Sequence, residues 1–152
     1  MEKVVYVHYG SSKFEKEIFT SVINREGWNK PYGGLWASKV NDDYGWKVWC
    51  EGSGFEECDE NNSFKFTIRD EARKLRLADP LDFRNLPTQD NKITGLFHLG
   101  EWVFPDFEKI AEKYDYIEYE ENFYTHEVLY GWDCNCVLIL NPDVVEEYVT
   151  CA

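Results

Sequence analysis

His8-Tyr9-Gly10-Ser11 and Gly33-Gly34-Leu35-Trp36-Ala37-Ser38 are the stretches on which a reading of this chain turns. The first closes Val4-Val5-Tyr6-Val7-His8-Tyr9, a β-branched and aromatic run that ends at Gly10 and reads as a buried first strand. The second follows Pro31-Tyr32; its glycines are turn chemistry that delivers the chain into a short strand. Between them, Ser12-x-x-Glu15 is a capping-box pattern, and Phe14, Ile18 and Val22 recur every four residues, so a short helix is expected. After them, Asp42 or Asp43 caps a helix carrying Tyr44, Trp46, Trp49 and Cys50, which stops at Gly52-Ser53-Gly54.

Further along, Phe64, Phe66 and Ile68 alternate with polar residues, as do Leu75 and Leu77, and each set predicts a strand. Two prolines and several charges between Asp79 and Asn91 predict a surface connection with one helical turn. Pro105-Asp106 opens a helix with Phe107, Ile110, Ala111 and Tyr114 on one face. Tyr116–Tyr119 is a short strand, and Cys136-Val137-Leu138-Ile139-Leu140 is a buried one closed by Asn141-Pro142. Strands outnumber helices without strict alternation, which predicts an α+β class in a single domain spanning 1–152.

Composition bounds what such a domain can do. The chain has 152 residues, one domain's worth. With 43% apolar and 30% charged residues it is not a disordered tail. Acidic side chains outnumber basic ones 29 to 16, for a net charge of −13. That argues against direct contact with a nucleic-acid backbone or an anionic membrane, which bind clustered Lys and Arg. It leaves room for a small anionic ligand in a local pocket and for a basic protein partner. Six Trp, ten Tyr and ten Phe make 17% of the chain aromatic, enough for a core and at least one stacking site.

Five cysteines, at 50, 58, 134, 136 and 151, form no even framework, and Met1–Gly10 has no signal-peptide core. A soluble protein in a reducing cytoplasm is therefore expected. Cys134-x-Cys136 lacks the second close pair that a zinc site needs, so no metal is expected and packing is the reading for both. His98 and His126 have no partner pattern and read as surface or packing residues. Glu118-Tyr119-Glu120-Glu121 reads as a solvated edge that discourages strand aggregation.

Taken in order, the strand ending His8-Tyr9-Gly10-Ser11, the glycine turn into Leu35-Trp36-Ala37-Ser38, the aromatic helix, and the last strand ending Asn141-Pro142-Asp143-Val144-Val145 resemble the ADP-ribosyltransferase superfamily. The likeness is to its diphtheria-toxin and poly(ADP-ribose)-polymerase branch. Tyr114-Asp115-Tyr116-Ile117-Glu118 is similar to a segment of many prokaryotic members. The resemblance implies a split antiparallel or mixed sheet with a few short helices, and NAD as substrate. It places His8, Tyr9, Gly10, Ser11, Trp36, Ser38, Tyr44, Trp46 and Trp49 around NAD. Trp36 takes the place of the family's first stacking tyrosine, and one of Tyr44, Trp46 or Trp49 that of the second. Two such rings can sandwich the cationic nicotinamide. His8 would hydrogen-bond a ribose hydroxyl, and the backbone around Gly10 would meet the carboxamide, with Ser11 in polar contact.

The family's catalytic carboxylate stands at the start of the last core strand, where this chain has Cys136; the nearest acid is Asp133, with Glu127 and Glu118 as weaker candidates. The expected function is NAD-dependent mono-ADP-ribosylation of an intracellular macromolecule, a protein target above all, by a bacterial or phage effector. The alternatives are a catalytically silent relative that works as a binding module, which Cys136 motivates, and an acidic inhibitor that occupies the basic groove of a nucleic-acid-binding protein.

Overall fold

The computed structural model describes residues 3–25, 29–53, 59–94, 101–129 and 131–147. Its strands are β1 (Tyr6–Tyr9), β2 (Leu35–Lys39), β3 (Ser63–Ile68), β4 (Lys74–Leu77), β5 (Thr88–Thr94), β6 (Glu101–Pro105), β7 (Tyr116–Tyr119), β8 (Cys136–Ile139) and β9 (Val145–Glu147). The α-helices are α1 (Trp46–Ser53), α2 (Pro80–Phe83), α3 (Phe107–Lys113) and α4 (Phe123–Val128). Seven strands form one sheet in the order β4-β7-β8-β2-β1-β3-β9, while β5 and β6 pair apart from it. Neighbours in the large sheet run antiparallel except β4 and β7, which are parallel. The protein is therefore α+β, with a mixed, mostly antiparallel sheet and short helices.

Strand side chains alternate between faces, and β8 uses both. Cys136 and Leu138 enter one core with Leu75, Leu77, Ile117, Tyr119 and Trp132, which Phe107 and Ile110 of α3 cover. Val137 and Ile139 enter a second core with Tyr6, Leu35, Ala37, Phe64 and Phe66. Fully burying a side chain of this size contributes about 1.5–3 kcal/mol. The expected Phe107/Ile110 stripe forms α3, which Asp106 caps by accepting from the Lys109 N–H at 3.1 Å.

Other expectations meet corrections. The Ser12-x-x-Glu15 helix is absent; a 3-10 turn, Lys16–Ile18, stands in its place. Glu15 flanks that turn without a side-chain cap, Ile18 is 71% exposed, and Phe14 and Val22 go to different cores, so the three do not form the single buried stripe that would hold a longer helix. Tyr44 lies outside α1: Asp42 accepts from the Tyr44 N–H, closing a turn before the helix starts at Trp46. Part of the surface connection is strand, since β5 pairs with β6. Cys50, buried in α1, is disulfide-bonded, whereas the cysteine count had suggested reduced thiols. His98, Cys58 and Cys151 lie outside the described residues. No helix among the described residues is long and apolar enough to cross a membrane.

Asp115 ties the parallel pair to the end of β8. Its Oδ2 accepts from the Arg73 backbone N–H at 2.8 Å, and its Oδ1 from Arg73 Nη2 and Asn141 Nδ2, both at 3.1 Å. Its carbonyl receives the N–H groups of Leu140 and Asn141. Burial pushes this carboxyl up, but the Arg73 and Asn141 hydrogen bonds outweigh it and leave it below the usual carboxylate range. The unfolded chain thus takes up this proton first as pH falls. Stability from Asp115 is full above about pH 4 and is lost as pH drops through the depressed folded value. Urea unfolding should show Asp115→Asn less stable than wild type at pH 7, with the gap closing below pH 4; a gap independent of pH would contradict this account.

Candidate functional site

The ladder between β1 and β2 holds only two residue pairs, Tyr6↔Lys39 and Val7↔Ser38. At the next position the His8 ring takes over: its Nδ1 lies 2.6 Å from the Trp36 carbonyl oxygen. A carbonyl only accepts, so Nδ1 carries the proton and Nε2 of the neutral ring is left as an acceptor. Phe64 packs on the ring at 5.2 Å, and burial pushes the imidazole pKa down, with the Trp36 hydrogen bond opposing. Gly10, at φ +119°, continues the chain in a conformation that side chains resist, and a Cβ there would stand 3.6 Å from His8 Nε2.

The glycine turn has its own steric reason. Gly33 and Gly34 both have positive φ, a Cβ on Gly33 would overlap the Ser21 carbonyl oxygen, and one on Gly34 would come within 2.5 Å of Leu138 Cδ1. His8, Ser11, Gly33, Gly34 and Phe64 border a cavity of about 350 Å³. A second cavity, about 690 Å³, lies beside the start of α1 and is bordered by Tyr9, Ser38, Lys47 and Lys65.

Trp36 and Trp46 converge on one cation. Lys30 Nζ stands 4.8 Å from the Trp36 ring centroid and 5.3 Å from that of Trp46. Trp36 is held edge-on against the buried Trp132 at 4.8 Å. Trp46 opens α1, and its backbone N–H donates to Ser38 Oγ at 3.2 Å, so Ser38 anchors the helix start. Of the three candidates for a second ring, Trp46 therefore shares a cation with Trp36, and Trp49 meets Trp46 edge-on at 5.6 Å. Tyr44 lies on the neighbouring loop, where its carbonyl receives the Asn135 N–H.

Asp133 sits in the turn before β8 with φ +66°. Burial raises its carboxyl pKa, the charge of Glu121 raises it further, and Lys30 and His126 oppose. Glu118 lies elsewhere, paired with Lys74 at 3.6 Å, and Glu127 is exposed on α4. Cys136 is buried in the core, and burial holds its thiol well above its usual pKa, so it stays protonated and packs.

Glu121 is the residue that the sequence reading missed. It is not part of a solvated edge: its side chain is 12% exposed, accepts from His126 Nδ1–H at 2.6 Å and accepts from the Tyr119 hydroxyl. The legible signal was Asn122-x-x-Thr125, a capping box that starts α4 and leaves Glu121 just before the cap. Comparison with family models, curated proteins and solved structures gave no match.

His8 provides a direct check of the seam. Its depressed folded pKa means the unfolded chain binds the proton more readily, so the stability it contributes is full above about pH 6.5 and lost as pH falls through the folded value. Nitrogen-15 NMR should find His8 protonated at Nδ1 and bare at Nε2 at pH 7, titrating below pH 6.5. A midpoint at or above that value would contradict the assignment.

Proposed function

We propose that this chain is an ADP-ribosyltransferase-like enzyme that binds NAD at the β1–β2 seam and transfers ADP-ribose to a protein. The observation that carries the reading is the pair of indoles, Trp36 and Trp46, gathered around the Lys30 cation. Nicotinamide in NAD is a flat cation, and cation–π attraction suits it to the place that Lys30 Nζ occupies. The Nε2 acceptor of His8 suits a ribose hydroxyl, and the bare backbone at Gly10 suits the carboxamide. Ser11 lines the cavity beside His8, and Tyr9 lines the other cavity, beside the start of α1.

Cleavage of the nicotinamide–ribose bond develops positive charge on the ribose, as in glycoside hydrolysis. Asp133 is the carboxylate assigned to stabilise that charge. Lys30 leaves the indoles when nicotinamide enters. In this reading the protein is a bacterial or phage effector, and its net charge of −13 favours a basic protein target over a nucleic acid. A catalytically silent NAD-binding module is the second reading, favoured by the buried, protonated Cys136 where the family has its acid.

The test begins with thermal unfolding in millimolar NAD. Ligand at one hundred times its Kd adds about 2.7 kcal/mol. At about 2–4 °C per kcal/mol for a chain of this size, the midpoint should rise by several degrees, and His8→Ala should lose the rise. Asp133→Ala should keep the shift but stop nicotinamide release. No shift in wild type overturns NAD binding, and a shift without nicotinamide release selects the silent module.

A further inference from the structure

Phe123 opens α4 and is 86% exposed, more than any other large apolar side chain among the described residues. Leu81, in α2, is 68% exposed. The two helices touch. The Phe83 and Tyr124 rings meet edge-on with centroids 5.6 Å apart. Asn122, the cap of α4, donates from Nδ2 to the Ala78 carbonyl oxygen at 2.8 Å, one residue before Asp79 caps α2. A single exposed apolar residue needs no explanation, but two of this size on a pair of touching helices mark a face. Neither belongs to a core of the fold.

The same face is acidic. From residue 114 to residue 152 the sequence has nine Asp or Glu and no Lys or Arg. Arg76 reaches in from β4: its Nη1 lies 3.1 Å from Asp79 Oδ2 and 3.2 Å from Asp82 Oδ2, and its Nη2 lies 3.7 Å from Glu120 Oε2. Three carboxylates thus share one guanidinium, which leaves two negative charges over. Glu127, exposed on α4, adds another, and Arg84 at the end of α2 offsets one. The Asp79 and Glu120 side chains are 65% and 60% exposed, so their charge can be reached from outside.

We infer that the α2–α4 face is where a basic protein partner docks, through a segment that sets an apolar side chain on Phe123 and lysines or arginines against Asp79, Glu120 and Glu127. Charge complementarity selects this occupant. Acids around a contact steer a cationic partner toward it, while an aromatic anchor released from water carries much of the binding. A second copy of the chain would bring the same acids against each other, because a two-fold contact uses one patch twice. As the docking face for a protein target, the inference rests on the reading above; the docking itself needs no NAD.

The test therefore leaves NAD out. The probes are two labelled synthetic peptides of equal length and charge, one of Leu and Lys in amphipathic helical order and one with Ala in place of every Leu. Fluorescence anisotropy gives their Kd for wild type, Phe123→Ser and the Phe123→Ser/Leu81→Ser double variant. Both substitutions are at exposed positions, and thermal midpoints confirm folding. Wild type should prefer the Leu peptide by about tenfold or more, the worth of one good anchor. Phe123→Ser should lose most of that preference and the double variant all of it, with the Ala peptide bound alike by all three. Binding of both peptides should weaken between about 0.15 M and about 1 M salt, as screening shortens from about 8 Å to about 3 Å. Equal affinity of wild type for the two peptides, or a preference that survives in the double variant, overturns the docking face. Dimerisation in sedimentation that Phe123→Ser abolishes also overturns it, since a second copy would then cover the face. Any of these leaves the midpoint shift in NAD untouched, and a missing shift in NAD leaves the peptide result standing.

Discussion

Strand β8 must be apolar on both sides, and much of the molecule is arranged around that constraint. Leu138 and Cys136 close one core while Val137 and Ile139 close the other, so no residue of the strand can be given to solvent. Position 136 is therefore a packing position, and a charged side chain there would be buried against Tyr119 and Leu138 without a partner. The acidic groups gather instead in the turn before β8 and in the loop before α4, where the backbone still reaches water. Asp133 tolerates positive φ in that turn because short polar side chains adopt the left-handed region more readily than bulky ones.

The two cores lie on opposite faces, and the β1–β2 seam is where the sheet is least continuous. Its ladder stops after two pairs, and a side chain, His8, supplies the next contact. Backbone donors and acceptors at the seam are consequently met by side chains and turns: Ser38 receives the start of α1, Gly10 donates to Asn62, and Gly34 donates to Thr20. Polar groups arranged in this way are what distinguish a ligand-sized gap from a packing defect. The His8 ring lies against Phe64 on the side of the second core, whereas Trp36 and Trp46 pack on the first, so the ring and the indole pair stand on opposite faces of the sheet.

Much of this architecture was legible because hydrophobic period and cap chemistry agreed locally. The alternation at Phe64–Ile68 and at Leu75–Leu77, the Asp106 cap ahead of Phe107, and the apolar run at 136–139 all read directly as their elements. The glycine turn was visible for a physical reason, since Ser21 and Leu138 leave no room for a Cβ at 33 or 34. What misled was a helical spacing whose residues go to different places. Phe14 packs on one core, Val22 enters the other, and Ile18 faces solvent. Strands β5 and β9 were illegible because their sequences, Thr88–Thr94 and Val145–Glu147, are largely polar and gain their state by pairing. Glu121 was missed for a related reason: an acidic run has the same composition whether it meets water or a buried phenol and an imidazole. Only the third dimension brings Tyr119 and His126 to it.

Lys30 gives the indole pair a property beyond shape. A ligand that settles between Trp36 and Trp46 does not enter an empty slot; it competes with an ammonium tethered to the same chain. A group on a short tether acts at an effective concentration in the millimolar range. Any affinity measured at the pair is then a difference between two cations for one aromatic surface, and a neutral ring of equal size starts at a disadvantage. The site is in effect calibrated against its own lysine, which makes charge, ahead of contact area, the quantity by which it discriminates.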